Sequence, residues 1–127
     1  MKINTSSRLT VLSLFLFISF STITSAQEAH RRWRKMNQIR NDKFDLILPE
    51  VMRENGIDMW IIMNREGNFD PLYPDMGEGY VGSTGYYIFT DRGGDRIERV
   101  ALGISGYLLE EGGAYDYFGS ELELKNF

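Results

Sequence analysis

The spacing of apolar residues changes several times along this chain, and each change predicts an element. Leu9 to Phe20, LTVLSLFLFISF, is a short, largely apolar run near the start. Between Glu28 and Asn55 the apolar residues Phe44, Ile47, Leu48 and Val51 recur at i, i+3, i+4 and i+7, which is one face of a helix. Trp33, Met36 and Ile39 carry an apolar edge toward the N-terminus, in a segment rich in helix-forming Arg, Lys, Met, Leu and Glu. Gly56 follows Asn55 where a left-handed C-terminal cap is expected. Pro49 lies inside this pattern; its ring opposes the carbonyl of Asp45 and it has no N–H to donate. A kink near Leu48 that keeps the stripe in phase is therefore predicted, with a break into two helices as the alternative.

Beyond Gly56 the periodicity becomes that of strands. Ile57 to Met63 is predicted as the first, and its continuous Met59-Trp60-Ile61-Ile62-Met63 run suits a strand covered on both faces. Asn64 to Thr84, with Pro71, Pro74 and several glycines and acids, reads as a long loop of the kind that is often functional or mobile. Tyr86 to Leu102 reads as a hairpin about Gly93-Gly94. A two-residue turn there sets Asp91 opposite Arg96, Phe89 opposite Glu98 and Tyr87 opposite Val100, whereas a slip by one sets Asp91 against Asp95. Tyr107-Leu108-Leu109 begins another strand, and the alternation in Glu121-Leu122-Glu123-Leu124 fits a strand start or a short helix. A helix, a buried strand and a hairpin together indicate an α/β fold with a long N-terminal helix.

The first run changes the picture of where the chain works. Lys2 and Arg8 precede it, and Thr24-Ser25-Ala26 places small residues where a signal peptidase reads. Residues 1–26 are expected to be a secretory signal peptide, too short in its apolar part to span a bilayer comfortably. The expected location is exported, periplasmic or secreted, with no stable membrane span after cleavage. The alternative is an uncleaved anchor. There is no Cys, so neither a lipid-attached N-terminus nor a disulfide is available. Cleavage after Ala26 leaves residues 27–127, one small domain at most.

Charge narrows the partners. The leader holds two of the fourteen basic residues and none of the eighteen acids, leaving twelve against eighteen, a net −6. Arg31, Arg32, Arg34, Lys35, Arg40 and Lys43 gather at one end, and the remainder is acidic. An acidic body with one basic end argues against nucleic acid as the main partner. The Arg31–Lys35 stretch with Trp33 is read as a solvated helix entry, with binding to an anionic surface or a nucleic acid as the alternative.

Candidate chemistry is thin. Gly77-Glu78-Gly79-Tyr80-Val81-Gly82 has the letters of a dinucleotide fingerprint, but a Pro-containing acidic loop precedes it and strand-like residues follow, where phosphate binding needs a strand and then a helix N-terminus. A kinase-type glycine loop needs Val where Thr84 stands and a Lys on the next strand. The expected role is a loop that approaches its own backbone closely. Asp70, Asp75 and Glu78 offer hard-cation ligands without the alternation of an EF-hand, and read as a solvated acidic loop. His30 is the lone histidine, too little for a zinc centre or for Ser–His or Cys–His chemistry. No two carboxylates stand in a recognisable acid/base frame. No catalytic, cofactor-binding or metal-ligating residue is assigned in this chain.

The most specific letters lie in Leu48–Met63, with Glu54-Asn55-Gly56-Ile57-Asp58-Met59-Trp60, and in Tyr86–Leu102, with Phe89-Thr90-Asp91-Arg92-Gly93-Gly94. Over roughly residues 36–119 the chain resembles the N-terminal, non-catalytic domain of the creatinase/prolidase (Xaa-Pro aminopeptidase-like) metallopeptidases, in the exported bacterial branch. That resemblance implies an α/β domain with a mixed sheet, a Gly-Gly hairpin and a ribonuclease H-like motif, incomplete here over residues 27–127. It also implies a separate "pita-bread" catalytic domain, expected to be absent from this chain, where two Asp, one His and two Glu hold two divalent metal ions that activate water. None of those five ligands maps onto this sequence. The implied partners are the catalytic domain or other subunits of such an enzyme, with a homo-oligomer as a further option, and the implied role is to support assembly and substrate access. The chain alone is expected to be inactive. A free-standing secreted binding module is the alternative. Missing strands are expected to leave apolar sheet edge and face uncovered.

Overall fold

The chain divides into two compact units, Met1–Lys35 and Met36–Phe127, and the structure, a computed structural model, describes residues 26–120. The expected leader, apart from Ala26, and the Glu121–Leu124 alternation lie outside the described residues. In the first unit residues 26–35 are helical. There Glu28 accepts from Arg31 Nε and from Arg32 Nε, each at 2.8 Å. His30 stacks on Trp33 with ring centroids 5.3 Å apart.

In the second unit the helix, α1 over residues 36–42, passes through the proline without stopping. A π-turn over Lys43–Ile47 leads into α2 (Leu48–Glu54). Leu48 N–H donates to Lys43 O, five residues back. The wider turn gives the Pro49 ring room where an α-turn would press it on a carbonyl. It also inserts one residue into the helical count, which turns everything after it by about 100°. The predicted phase is therefore lost. Asn37 and Arg40 face inward before the turn, Phe44 within it, and Pro49 and Met52 after it. Ile47 and Val51, expected on the buried stripe, are 54% and 45% exposed, and Met36 and Ile39 are exposed as well.

Gly56 ends α2 as expected. It takes φ +64°, Gly56 N–H donates to Arg53 O at 3.2 Å, and Ile57 N–H donates to Met52 O at 2.8 Å. That last bond holds Ile57 in the cap, so the strand starts two residues later than predicted.

The sheet runs β1 (Met59–Arg65), β2 (Tyr80–Thr90), β3 (Glu98–Ser105) and β4 (Tyr117–Gly119), in that spatial order. The first three are antiparallel neighbours, and β4 lies parallel to β3. The sheet is mixed, as the resemblance implied. Two short helices interrupt it: α3 (Tyr73–Met76), inside the segment predicted as loop, and α4 (Tyr107–Glu111), where a strand was predicted. Gly106 O accepts from both Leu109 and Glu110 N–H at 3.0 Å, which starts α4 and sends Leu109 into the core.

The hairpin forms with a different register. Phe89 opposes Arg99, Ile88 opposes Val100 and Tyr87 opposes Ala101, each one residue beyond the predicted partner, and the connection covers residues 91–97. The predicted Asp91–Arg96 pair does not form: Asp91 is bound by Arg53, and Arg96 pairs with Asp116 at 2.5 Å. Ile97, wholly buried, anchors the returning chain.

One face of the sheet carries the core. Phe44 meets Phe89 edge-on at 5.0 Å, Trp60 stacks on Phe89 at 5.4 Å, and Tyr115 stacks on Tyr87 at 5.3 Å. Arg99 is 1% exposed; it lies over the Phe44 ring and donates to Asp45, so an exposed carboxylate serves a buried guanidinium.

Candidate functional site

The segment around the glycine motif is held by its carbonyls. Arg40 Nε donates to Asp75 O at 2.8 Å, and Tyr115 Oη donates to Met76 O at 2.7 Å. Tyr87 Oη donates to Gly77 O, and Tyr73 Oη to Gly79 O, while Gly79 N–H returns a bond to Tyr73 Oη at 2.9 Å. Four core side chains thus bind four carbonyls between residues 75 and 79. Burial in this cluster pushes the phenols of Tyr87 and Tyr115 well above their ordinary value, so both stay protonated donors.

This arrangement leaves no phosphate cradle. The motif runs into β2 rather than a helix, and the Gly79 amide is already engaged. The glycines are there for close approach. A Cβ on Gly77, at φ +104°, would lie 2.6 Å from Leu109 Cδ1, and one on Gly79 would lie 2.9 Å from Ile104 Cγ2 and from Ser105 O.

The acids of this loop are not gathered. Asp70 Oδ1 accepts the Leu72 amide at 2.8 Å, Asp75 pairs with Lys43 at 3.2 Å, and Glu78 is exposed. Among the described residues no three His, Cys, Asp or Glu stand together where they could hold a metal ion. His30 is in the first unit, stacked on Trp33. Arg92 pairs with Glu98 at 2.7 Å across the base of the hairpin loop.

What the fold does present is apolar surface around β1. The strand is an edge of the sheet. Its Trp60, Ile62 and Asn64 turn to the core, while Met59, Ile61 and Met63 are 53%, 51% and 47% exposed on the other face. The expectation of cover on both faces is met on one only, among the described residues. Beside Trp60, on the helix-covered face, opens an apolar groove of about 320 Å³ lined by Ile47, Leu48, Val51, Leu72 and Met76, with Lys43 and Asp75 also on its wall. The π-turn creates this groove, because it leaves Ile47 and Val51 outside the core.

Among the described residues the main chain of β1 is also open on one side. Asp58 O accepts from Asp91 N–H at 2.8 Å, so Asp58 and every second residue after it face β2. Arg65 exchanges bonds with Asn68 on the opposite side, N to O at 3.3 Å and O to N at 3.0 Å. Met59, Ile61 and Met63 therefore direct their N–H and C=O groups away from the sheet. The sequence signal for this surface was the unbroken Met59–Met63 run; no motif marked it. No helix among the described residues is long and apolar enough to cross a membrane.

Comparison with protein-family models, with curated proteins and with solved structures finds no match to this chain.

Proposed function

We propose that this chain is a non-catalytic scaffold: the N-terminal domain, or part of it, of an exported Xaa-Pro aminopeptidase-like metallopeptidase, supporting assembly and substrate access. The reading rests on the resemblance carried by Leu48–Met63 and Tyr86–Leu102. The observation that supports it best is β1, whose Met59–Met63 stretch is apolar on both faces while Met59, Ile61 and Met63 stay half exposed. A strand of that composition normally has a layer on each side, and a surface of that kind commonly marks an interface. The creatinase-type domain, the export and the metal-bearing partner all belong to this proposal.

The test is co-expression with a separately encoded catalytic domain of that family from the same host. Co-purification and a raised melting temperature of the pair are expected. Failure to associate at micromolar concentration, together with peptide cleavage by this chain alone, would overturn the proposal.

A second reading, a free-standing secreted binding module, draws support from the one well-built face. Arg53 ties helix to sheet, and the Phe44, Phe89, Tyr115 and Tyr87 rings form a connected core. It requires a sharp cooperative thermal transition for the isolated chain. A broad transition relieved by a partner favours the scaffold.

A further inference from the structure

We infer that the free edge of β1 pairs with β1 of a second copy of this chain, antiparallel, about a two-fold axis through Ile61. This deepens the scaffold reading by naming what occupies the edge.

The register follows from which groups are open. Met59, Ile61 and Met63 offer three N–H and three C=O groups on the outer side, as fixed by the Asp58–Asp91 and Arg65–Asn68 bonds. In an antiparallel pair, residues that exchange both bonds lie directly opposite. A dyad at Ile61 sets Ile61 against itself and Met59 against Met63 of the second copy, which satisfies all six groups on each strand. A dyad at Ile62 would instead call on Arg65, whose edge groups Asn68 already occupies. A dyad at Trp60 leaves Met63 facing Ile57, which is held in the helix cap. One register therefore uses every open group and competes with none.

The side chains agree with it. Met59 with Met63, and Ile61 with Ile61, form an apolar row on the outer face. Trp60 meets Ile62 on the face covered by helices, beside the groove lined by Ile47 and Val51. Asp58 falls opposite Asn64, so no like charges meet. The stretch Met59–Met63 contains no Pro, Lys or other charge of the kind that guards an edge strand. The bend at Asp58 and the turn at Arg65–Asn68 bound the open stretch at its two ends.

The test uses the full chain, with light scattering after size exclusion over a range of concentrations and amide hydrogen exchange read residue by residue. A dimer is expected, with the Met59, Ile61 and Met63 amides protected only at high concentration and the Trp60, Ile62 and Asn64 amides protected throughout. Ile61→Pro removes an N–H that faces no strand of its own copy, so the monomer fold should keep its circular dichroism. The dimer dissociation constant should rise about tenfold or more, because two symmetric bonds are lost. Ile61→Lys should do the same if the proline variant fails to fold. A chain that is monomeric throughout would overturn the inference. So would a dimer whose Met59, Ile61 and Met63 amides exchange freely, which would be packed through the sheet face instead, or a dimer that persists in the Ile61 variants. Loss of the dimer leaves the scaffold proposal standing on its heteromeric test. Peptidase activity in the chain would end the scaffold proposal and leave the dimer untouched.

Discussion

Arg53 on α2 forks onto Asp91 at the end of β2, Nε to Oδ2 at 2.7 Å and Nη2 to Oδ1 at 3.1 Å. Nη2 also donates to Gly94 O at 2.5 Å. One guanidinium thus fixes the helix end, the strand end and the hairpin loop. That is why Asp91 is not available to the cross-strand partner its charge pattern pointed to.

The pair sets an acid dependence. The bond from Arg53, and after it the Gly93 amide, hold the Asp91 carboxyl below the usual carboxylate range. Because the folded value is depressed, the stabilisation is complete above the ordinary carboxylate value of about 4 and is lost as pH falls through the folded value. Asp91→Asn should lower the urea midpoint at pH 7, and the gap to the wild type should narrow toward pH 3. The pair is near solvent, so added salt should shrink the gap at pH 7.

The π-turn makes a prediction about two adjacent residues. Met52 is 1% exposed and Val51 is 45% exposed. Met52→Ala should cost about 2–5 kcal/mol and Val51→Ala less than about 1 kcal/mol by denaturant unfolding. The reverse order would mean that the apolar stripe keeps its phase across Pro49.

The tyrosine cluster sets an alkaline limit. Tyr87→Phe and Tyr115→Phe each leave a buried carbonyl without its donor, a loss of about 1–3 kcal/mol apiece. In the wild type the folded phenol values lie above the unfolded value of about 10. Their contribution is therefore complete below that value and is lost as pH rises beyond it. In an absorbance titration at alkaline pH, these two phenols should ionise only together with unfolding.

The glycine motif should behave as packing. Gly77→Ala places a Cβ against Leu109 at a φ of +104°, and should destabilise by about 1–3 kcal/mol. Gly82→Ala meets nothing within 4 Å and should stay within about 0.5 kcal/mol of the wild type. Equal effects at the two positions would contradict the close-approach role.

Local signals were readable where the partner was local. The 28–55 helix, its Gly56 cap, the Met59 strand and the β2–β3 pairing follow from spacing and turn chemistry within a few residues. The misses arise where distant groups decide. Pro49 recruits a π-turn and shifts the buried face. Arg53 and Asp116 take the charges expected to set the hairpin register. A core position for Leu109 makes a helix of a strand-like triplet. Around the candidate surface, the Met59–Met63 run carried the need for cover on two faces, but nothing in it names the covering chain. The groove at Ile47 and Val51 was not legible, because it exists only through the π-turn.

The most direct test of the scaffold role is an assay of the purified full chain on Xaa-Pro peptides with manganese, cobalt or zinc. Release of the N-terminal residue should not exceed the rate without protein. Metal-dependent cleavage that follows the chain through repeated purification would contradict the role proposed here and place a reactive centre among these residues.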